Sequence, residues 1–296
     1  MAITSSTLLL LSILILSPSI NARLLFSSCI DQHGNYTTNS TYHTHLNSLL
    51  PSLISNASLG AATRNSAGFY TSTYGESPDK VYAALLCRGD LKLADCRSCL
   101  NESRHRLPHD CPNRKAAVIW YDECTLRYSD VYFTGEMNTR PAFAVRNTQN
   151  LTSTYDAFNE RLVALFENLR MRAAAGAGSP SNFAAGSVNV TGDVLVHGLF
   201  QCTPDLSGPD CNDCVVDGIR FLDSCCYGSP VVYVGLLSCN VVYSLSQFYD
   251  SSVDVRIQSP SSPPSPPPQL PPASQSINNG TSNGNGTSFF INFFFS

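Results

Sequence analysis

The chain contains CRGDLKLADCRSC at Cys87–Cys99 and CTPDLSGPDCNDC at Cys202–Cys214, two segments that share one cysteine pattern. Both segments have the spacing C-x8-C-x2-C, and in both copies the next two cysteines follow at intervals of 12 and 13 residues. Those following cysteines are Cys111 and Cys124 in the first copy and Cys226 and Cys239 in the second. Five matched positions at four identical spacings indicate two homologous units in tandem.

The two copies differ in their remaining cysteines and in their charge. Cys29 precedes the first copy and has no counterpart, whereas the second copy carries Cys225 directly before Cys226. Residues 23–134 hold 11 basic and 10 acidic side chains, and residues 135–256 hold 7 and 12. The net charges of +1 and −5 predict that the two units present different surfaces.

The pattern of apolar residues predicts mixed helix and strand in each copy. Leucines and an isoleucine have helical spacing between Leu46 and Ile54, where Pro51 is expected to limit the helix or mark its first turn, and a cleaner stripe runs from Tyr155 to Leu169. A short helix is expected between each C-x2-C pair and the next cysteine. The predicted strands are Val81–Leu86, Ala116–Tyr121, Thr125–Phe133, Val194–Gln201, Val231–Leu237 and Val241–Phe248. Together these elements predict an α+β fold with a helix pair on an antiparallel sheet.

Both ends of the chain differ in composition from the repeats. Residues 1–22 carry no charge and contain LLLLSILIL at Leu8–Leu16, which predicts a secretory signal peptide cleaved after Ala22. Residues 257–296 are also uncharged, and they pass from a Pro/Ser-rich segment to an Asn/Gly-rich one and then to FFINFFF. We expect a disordered tail here. A removable lipid-anchor signal is the alternative, although the apolar run is short for one.

Secretion agrees with the remaining composition. The chain has 12 Cys among 296 residues, and an oxidising compartment makes disulfide bonds their expected state. Eight Asn-x-Ser/Thr sequons predict a glycosylated surface. They begin at Asn35, Asn39, Asn56, Asn101, Asn150, Asn189, Asn279 and Asn285. We therefore predict an extracellular protein.

Several classes of function are disfavoured by the residues. A net charge of −4 argues against nucleic-acid binding, which requires a dense basic surface. Oxidised cysteines argue against zinc, and the histidine pairs His43/His45 and His105/His109 lack a metal-binding motif. The adjacent Asp122 and Glu123 point to opposite sides of a predicted strand, and no nucleophile elbow occurs. We predict no enzyme activity, no cofactor and no metal.

The chain resembles the plant cysteine-rich domain DUF26, also called the ginkbilobin-2-homologous domain, over about residues 27–250. The resemblance includes NYTTNSTY (Asn35–Tyr42), DKVYAALLCRGD (Asp79–Asp90), CPNRKAAVIWYDECTLRYSD (Cys111–Asp130) and LFQCTPDLSGPDCNDC (Leu199–Cys214). It implies two tandem domains, at 27–134 and 146–250, each with a five-stranded antiparallel sheet and two helices, before a tail at 251–296. The stretch after Gln258 has neither a membrane-spanning segment nor a kinase motif, so the chain resembles a cysteine-rich repeat secretory protein or the ectodomain of a cysteine-rich receptor-like kinase without its span and kinase.

Disulfide pairing follows from the same resemblance, because six cysteines alone allow 15 pairings. It implies five bonds, namely Cys29–Cys111, Cys87–Cys96, Cys99–Cys124, Cys202–Cys211 and Cys214–Cys239. Cys225 and Cys226 are left unassigned. They can pair with each other, stay free or link two chains, and a redox-sensitive role is one hypothesis for them.

The resemblance also permits a check for carbohydrate binding. Mannose-binding members of the family use an Asn just after the first Cys, an Arg seven after the fifth and a Glu five after the last. The matching residues are Ile30, Val118 and Ser129 in the first copy, and Tyr233 and Ser244 in the second. Because none of these keeps the family residue, we do not expect mannose binding at that site, although another glycan site on exposed aromatic residues is possible.

We therefore predict a secreted, non-enzymatic binding protein of the apoplast that acts in stress, defence or cell-surface signalling. Its expected partner is a cell-wall glycan, a receptor ectodomain or another DUF26 protein. Two alternatives are a directly antimicrobial, lectin-like protein and an extracellular redox-responsive module that uses Cys225 and Cys226.

Overall fold

The computed structural model describes residues 22–60, 68–148, 155–175, 182–226 and 228–257. Both cysteine repeats belong to one compact unit of the chain. Most of the predicted signal peptide and the predicted tail beyond residue 257 lie outside the described residues. The sequons at Asn150, Asn279 and Asn285 lie outside them as well.

The first repeat forms a five-stranded antiparallel sheet with two helices on one face. Its strands occur in the order β1-β4-β5-β3-β2, with every pairing antiparallel. The elements are β1 (Leu24–Cys29), α1 (Thr41–Gly60), β2 (Phe69–Tyr74), β3 (Val81–Cys87), α2 (Leu93–Asp110), β4 (Ala117–Tyr121) and β5 (Cys124–Ser129). The predicted α+β class and the five strands are confirmed for this repeat.

The second repeat repeats this order and adds a sixth strand. Its sheet has the order β11-β7-β8-β10-β9-β6, in which β6, β9, β10, β8 and β7 correspond to β1, β4, β5, β3 and β2. The elements are β6 (Phe143–Arg146), α3 (Tyr155–Ala174), β7 (Phe183–Thr191), β8 (Val194–Cys202), α4 (Gly208–Cys226), β9 (Val231–Gly235), β10 (Cys239–Ser244) and β11 (Asp254–Ile257).

The additional strand corrects the start of the predicted tail. Residues 251–257, which the sequence placed in the tail, form a 3-10 turn at Ser251–Val253 and then β11. β11 pairs with β7 in parallel. The segment between β10 and β11 packs Phe248, Tyr249 and Val253 over the face of the sheet opposite the helices. Burial of these apolar side chains explains why the chain stays on the sheet beyond the second repeat.

Each repeat buries its own core between helices and sheet. In the first core the leucines of α1 pack against inward residues of the strands, such as Leu85 and Ile119. In the second core the stripe on α3, including Phe158, Leu165 and Leu169, packs against residues such as Val196 and Val241. The helical and alternating periodicities of the sequence thus describe which faces are buried.

Two helix predictions are wrong in detail. Pro51 lies inside α1 rather than limiting it, since the leucines at 46, 49, 50 and 53 are buried on both sides of it and outweigh one missing N–H donor. The predicted short helices are long. α2 and α4 begin before the C-x2-C pairs, so Cys96 and Cys211 lie in the first turns of these helices.

The faces of the two sheets opposite the helices meet in an inter-repeat interface. Its apolar part consists of Val118, Trp120, Phe143 and Leu237, with Leu25, Val145 and Tyr233 at its edge. Trp120 is fully buried, and its indole Nε1 donates to the carbonyl oxygen of Leu236 over 3.4 Å. Gln201 adds two hydrogen bonds across the interface, donating from Nε2 to the Cys87 carbonyl and accepting from the Gly89 N–H.

Candidate functional site

A cleft of about 390 Å³ opens where this interface reaches the surface. The first repeat contributes Arg23, Leu25, Arg88 and Asp122, and the second contributes residues that include Asn147, Tyr233, Ser244, Ser246 and Phe248. We call this feature the inter-repeat cleft. Its volume lies within the range of small-molecule sites, and its wall mixes aromatic, hydroxyl and amide groups.

The first-repeat side of the inter-repeat cleft is built from paired charges. The Arg88 guanidinium donates from Nε to Asp90 Oδ1 over 2.6 Å and from Nη2 to Asp90 Oδ2 over 3.0 Å. It also donates to the carbonyl oxygens of Asp122 and Phe248. Arg88 therefore links the β4–β5 turn to the segment that covers the second sheet.

Asp122 occupies the rim of the inter-repeat cleft. Burial raises the pKa of its carboxyl group above the ordinary value, and the Arg23 and Arg88 guanidiniums offset part of that increase. Arg23 Nη1 lies 3.4 Å from Asp122 Oδ2. The charged groups of this rim thus satisfy one another within the protein.

The second-repeat side presents an aromatic wall. Tyr233 stacks on Phe143 with 5.7 Å between ring centroids and 22° between ring planes. Burial raises the pKa of its phenol, and the nearby Asp122 carboxylate raises it further. The phenol is therefore neutral at physiological pH and available as a hydrogen-bond donor or acceptor.

The positions examined for mannose binding have different surroundings in the two repeats. In the first repeat Val118 is buried in the inter-repeat interface, and Ser129 is buried with its hydroxyl accepting from the Val131 N–H. In the second repeat Ser244 is also buried, with its hydroxyl accepting from the Ser246 N–H, but Tyr233 and Ser244 both line the inter-repeat cleft. Of these four residues, only the two in the second copy border the cleft.

Asn147 is a cleft residue that the sequence did not identify. The Ile30 N–H donates to the Ala116 carbonyl, and the Asn147 N–H donates to the Val231 carbonyl. Ala116 and Val231 are 115 residues apart, as are the matched cysteines, so Asn147 holds the place of Ile30. Sequence counting from the matched cysteines points to Val145 instead, because the second repeat is two residues shorter between β6 and the cysteine that ends β8. The second copy therefore keeps an Asn at the position after the missing first Cys.

The structure brings together the five cysteine pairs implied by the resemblance. Their Cα atoms lie 5.3 Å apart in Cys29–Cys111, 5.7 Å apart in Cys87–Cys96 and 6.1 Å apart in Cys99–Cys124. In the second repeat Cys202–Cys211 and Cys214–Cys239 have the same separations, 5.7 and 6.1 Å. In each repeat two disulfide bonds thus join α2 or α4 to two strands of its sheet, and in the first repeat Cys29–Cys111 also joins β1 to the end of α2.

Cys225 and Cys226 bond to each other at the end of α4. Cys226 is buried, whereas Cys225 is exposed. Among the three alternatives left open by the sequence, the structure has the adjacent pair. No free cysteine occurs among the residues that the structure describes.

The other predicted surface groups are distributed away from the inter-repeat cleft. The sequon residues Asn35, Asn39, Asn101 and Asn189 are exposed, and Asn56 lies in α1. His45 contacts the Asp79 carbonyl through Nδ1. Within residues 22–257, excluding the undescribed gaps, no group of three or more His, Cys, Asp or Glu side chains has an arrangement that could hold a metal ion. None of the described helices is long and apolar enough to span a membrane.

Comparison with protein families gives a match over both repeats. A family model described as "Salt stress response/antifungal" matches residues 28–131 and 145–246. Among curated proteins, the antimicrobial ginkbilobin-2-like protein of Castanea crenata is 35% identical over 251 residues, which are 83% of this chain and 99% of that protein. Cysteine-rich repeat secretory protein 38 of Arabidopsis thaliana is 35% identical over 79% of this chain and 89% of that protein.

Receptor kinases match as well, but only over part of their length. Cysteine-rich receptor-like protein kinase 26 of Arabidopsis thaliana is 36% identical over 79% of this chain, and the chain spans 34% of that protein. Among solved structures, the tandem DUF26 ectodomain of the Arabidopsis thaliana cysteine-rich receptor-like protein PDLP8 has a TM-score of 0.62 at 23% identity, covering 75% of this chain and 98% of that one. This likeness supports the fold.

Proposed function

This chain belongs to the salt stress response/antifungal family, and we propose that it is a secreted, non-enzymatic protein that binds a glycan in the inter-repeat cleft. Membership confirms the resemblance to DUF26 drawn from the sequence. The relatives that match most of their own length are a secretory protein and an antimicrobial protein by name. Extracellular action in the apoplast is the role that these relatives support.

The observation that carries the proposal is the composition of the inter-repeat cleft. The aromatic residues Tyr233 and Phe248 line the cleft together with Ser244, Ser246 and Asn147, which carry hydroxyl and amide groups. Sugar rings stack their apolar faces on aromatic side chains while their hydroxyls exchange hydrogen bonds with such polar groups. The cleft therefore has both kinds of contact that an oligosaccharide requires.

The charges of the cleft favour a neutral oligosaccharide. Arg88 is bound to Asp90, and Arg23 is bound to Asp122. Arg146 pairs with Val232 in the sheet, and directly paired residues point to the same face. Val232 points into the second core, so the Arg146 side chain leaves β6 on the core side of the sheet, away from the face that carries Tyr233. An ionic ligand would have to break existing ion pairs, whereas a neutral sugar would not.

A glycan array probed with the mature protein tests this proposal. We expect binding to neutral plant or fungal wall oligosaccharides, reduced at least about tenfold by Ser246→Trp, which fills the mouth of the cleft from an exposed position. Ser98→Trp on the exposed face of α2 is the matched control. Absence of any glycan binding, or equal binding by both variants, would contradict the proposal.

Direct antimicrobial action is a second candidate, favoured by the near-complete coverage of the ginkbilobin-2-like relative. We expect growth inhibition of fungi by the purified protein if this candidate is correct. Inhibition that persists in Ser246→Trp would separate it from glycan binding in the cleft.

A redox-responsive role is favoured by one observation, the bond between the exposed residue Cys225 and its neighbour Cys226. Reduction of this bond needs two electrons and two protons from an external dithiol and gives two thiols. We expect mild dithiol treatment followed by mass spectrometry to label Cys225 and Cys226 before the other ten cysteines, all of which join separate elements. Labelling of another pair first would exclude this role.

A further inference from the structure

The turn between β4 and β5 holds the first residue after the predicted signal peptide. Arg23 accepts a hydrogen bond at its carbonyl oxygen from the Asp122 N–H over 3.0 Å. Its own N–H donates to Glu123 Oε2 over 3.2 Å, and its guanidinium contacts the Asp122 carboxylate. The adjacent acidic residues Asp122 and Glu123, to which we assign no catalytic or metal-binding role, therefore make three contacts with Arg23.

These carboxylates are partly withdrawn from water. The Asp122 side chain is 29% exposed. Burial raises the pKa of Glu123 and the Asp122 charge raises it further, whereas the Arg23 N–H and the Arg88 guanidinium act in the opposite direction. The groups that face this turn are Arg23, Arg88 and the neutral Tyr233 phenol. An additional positive charge here would relieve the repulsion between the two carboxylates.

Cleavage after Ala22 would supply that charge at the atom already in contact with Glu123. Water would add across the Ala22–Arg23 peptide bond, leaving a carboxylate on Ala22 and an α-ammonium on Arg23. One amide N–H would become three charged N–H donors, and hydrogen bonds from a charged donor to a carboxylate are about twice as strong as neutral ones.

We propose that the α-ammonium of Arg23 in the mature chain forms an ion pair with Glu123 and is a fixed part of the rim of the inter-repeat cleft. This inference rests on the predicted signal cleavage, and its position at a ligand site rests on the proposed function. The acidic pair Asp122–Glu123 thereby gains a role as the receptor for the chain's own new N-terminus. Acylation of the amino group would remove its charge and disturb the cleft at its edge.

The test is the pKa of the α-amino group in the secreted protein. N-terminal sequencing first identifies the mature terminus. The amino group is then acylated with a limiting reagent across pH 6–10, and peptide mass spectrometry gives the midpoint. An unperturbed α-amino group has a pKa of about 7.7–8.0, and we expect a midpoint about one pH unit higher in the native protein.

Two variants and one control decide the outcome. Glu123→Gln should return the midpoint to the ordinary range, whereas Glu160→Gln, an exposed carboxylate on α3, should leave it raised. A chain with Gly-Ser added before Arg23 moves the ammonium away and should show an ordinary midpoint, which keeps the test valid if Glu123→Gln does not fold. A terminus other than Arg23, or an unraised midpoint in the native protein, would overturn the proposal. Because no sugar is involved, this result is independent of the glycan array.

Discussion

The two repeats share one fold but secure their edge strands by different means. In the first repeat the disulfide Cys29–Cys111 joins the end of β1 to the end of α2. In the second repeat the register places Arg146 where Cys29 lies, since Cys29 pairs with Ala117 and Arg146 pairs with Val232, the matching residue. Cys226, the counterpart of Cys111, bonds to Cys225 instead.

This difference shows that the fold does not require a disulfide bond at the edge strand, since the second repeat has no counterpart of Cys29–Cys111. The β6 edge of the second sheet has no disulfide, and it is held by pairing with β9 and by Phe143, which packs on Trp120 and Tyr233. The opposite edge gains β11. The second repeat thus depends more on packing against the first, and the first more on its own cross-link.

The largest expected effect on stability comes from removing the disulfide bond Cys29–Cys111 of the first repeat. The bond Cys29–Cys111 closes a sequence separation of 82 residues, and the loop-entropy estimate for such a ring is about 4.5 kcal/mol. Cys29→Ser combined with Cys111→Ser should therefore lower the free energy of unfolding by up to about 4.5 kcal/mol. Denaturant unfolding of the secreted protein measures it.

The matched control is Cys225→Ser combined with Cys226→Ser. Adjacent residues close almost no loop, so we expect a loss of about 1 kcal/mol or less. A comparable loss in both double variants would mean that the adjacent pair stabilises the second repeat as strongly as the long ring stabilises the first.

The next prediction concerns how strongly the second repeat depends on the inter-repeat interface for its stability. Trp120 in β4 is fully buried, and its counterpart in β9 is Gly235, above which the Phe143 ring lies. Trp120→Ala should lower the free energy of unfolding by about 3–4 kcal/mol, within the range of about 3–5 kcal/mol for truncation of a buried Phe or Trp to Ala. Hydrogen exchange should show the greater loss of protection in β6 and β9 of the second repeat. Loss confined to the first repeat would contradict the asymmetry.

A smaller effect is expected from enlarging Gly235, the residue of the second repeat that matches Trp120. A Cβ atom on Gly235 would lie 2.8 Å from Phe143 Cζ, so Gly235→Ala should destabilise the protein by about 1–2 kcal/mol through overpacking. Phe143→Leu in the same chain should recover part of this loss, which a double-mutant cycle measures. Purely additive effects of the two substitutions would show that the ring does not occupy the space above Gly235.

Sequence reasoning reached the repeated framework because matched cysteines and apolar periodicity are properties of local spacing. It missed β11, since Asp254–Ile257 has only 4 residues and becomes a strand only by pairing with β7. It missed Asn147 because a two-residue difference in length hides the equivalence with Ile30 until the sheet register is known. It left Cys225 and Cys226 open, since adjacency permits a bond without requiring one. The inter-repeat cleft depends on how two surfaces meet, and no segment of the sequence encodes that alone.

The smallest expected effect concerns pH and again separates the repeats. His197 in β8 is buried beside Tyr249 and Asp254, whereas the matching residue of the first repeat is Tyr82. Burial lowers the pKa of His197, the Asp254 carboxylate partly opposes this, and Arg256 adds to it. Because the folded pKa of His197 lies below its unfolded pKa, the unfolded chain binds more protons. The contribution of His197 to stability therefore decreases as pH falls below about 6.5.

Thermal unfolding at pH 7 and pH 5 measures this effect. The melting temperature should fall less between the two pH values in His197→Gln than in the native protein, whereas in His105→Gln, at an exposed position, it should fall by the native amount. If the melting temperature of His197→Gln falls as much as that of the native protein, His197 does not cause the acid sensitivity, and the prediction that this residue distinguishes the second repeat from the first is wrong.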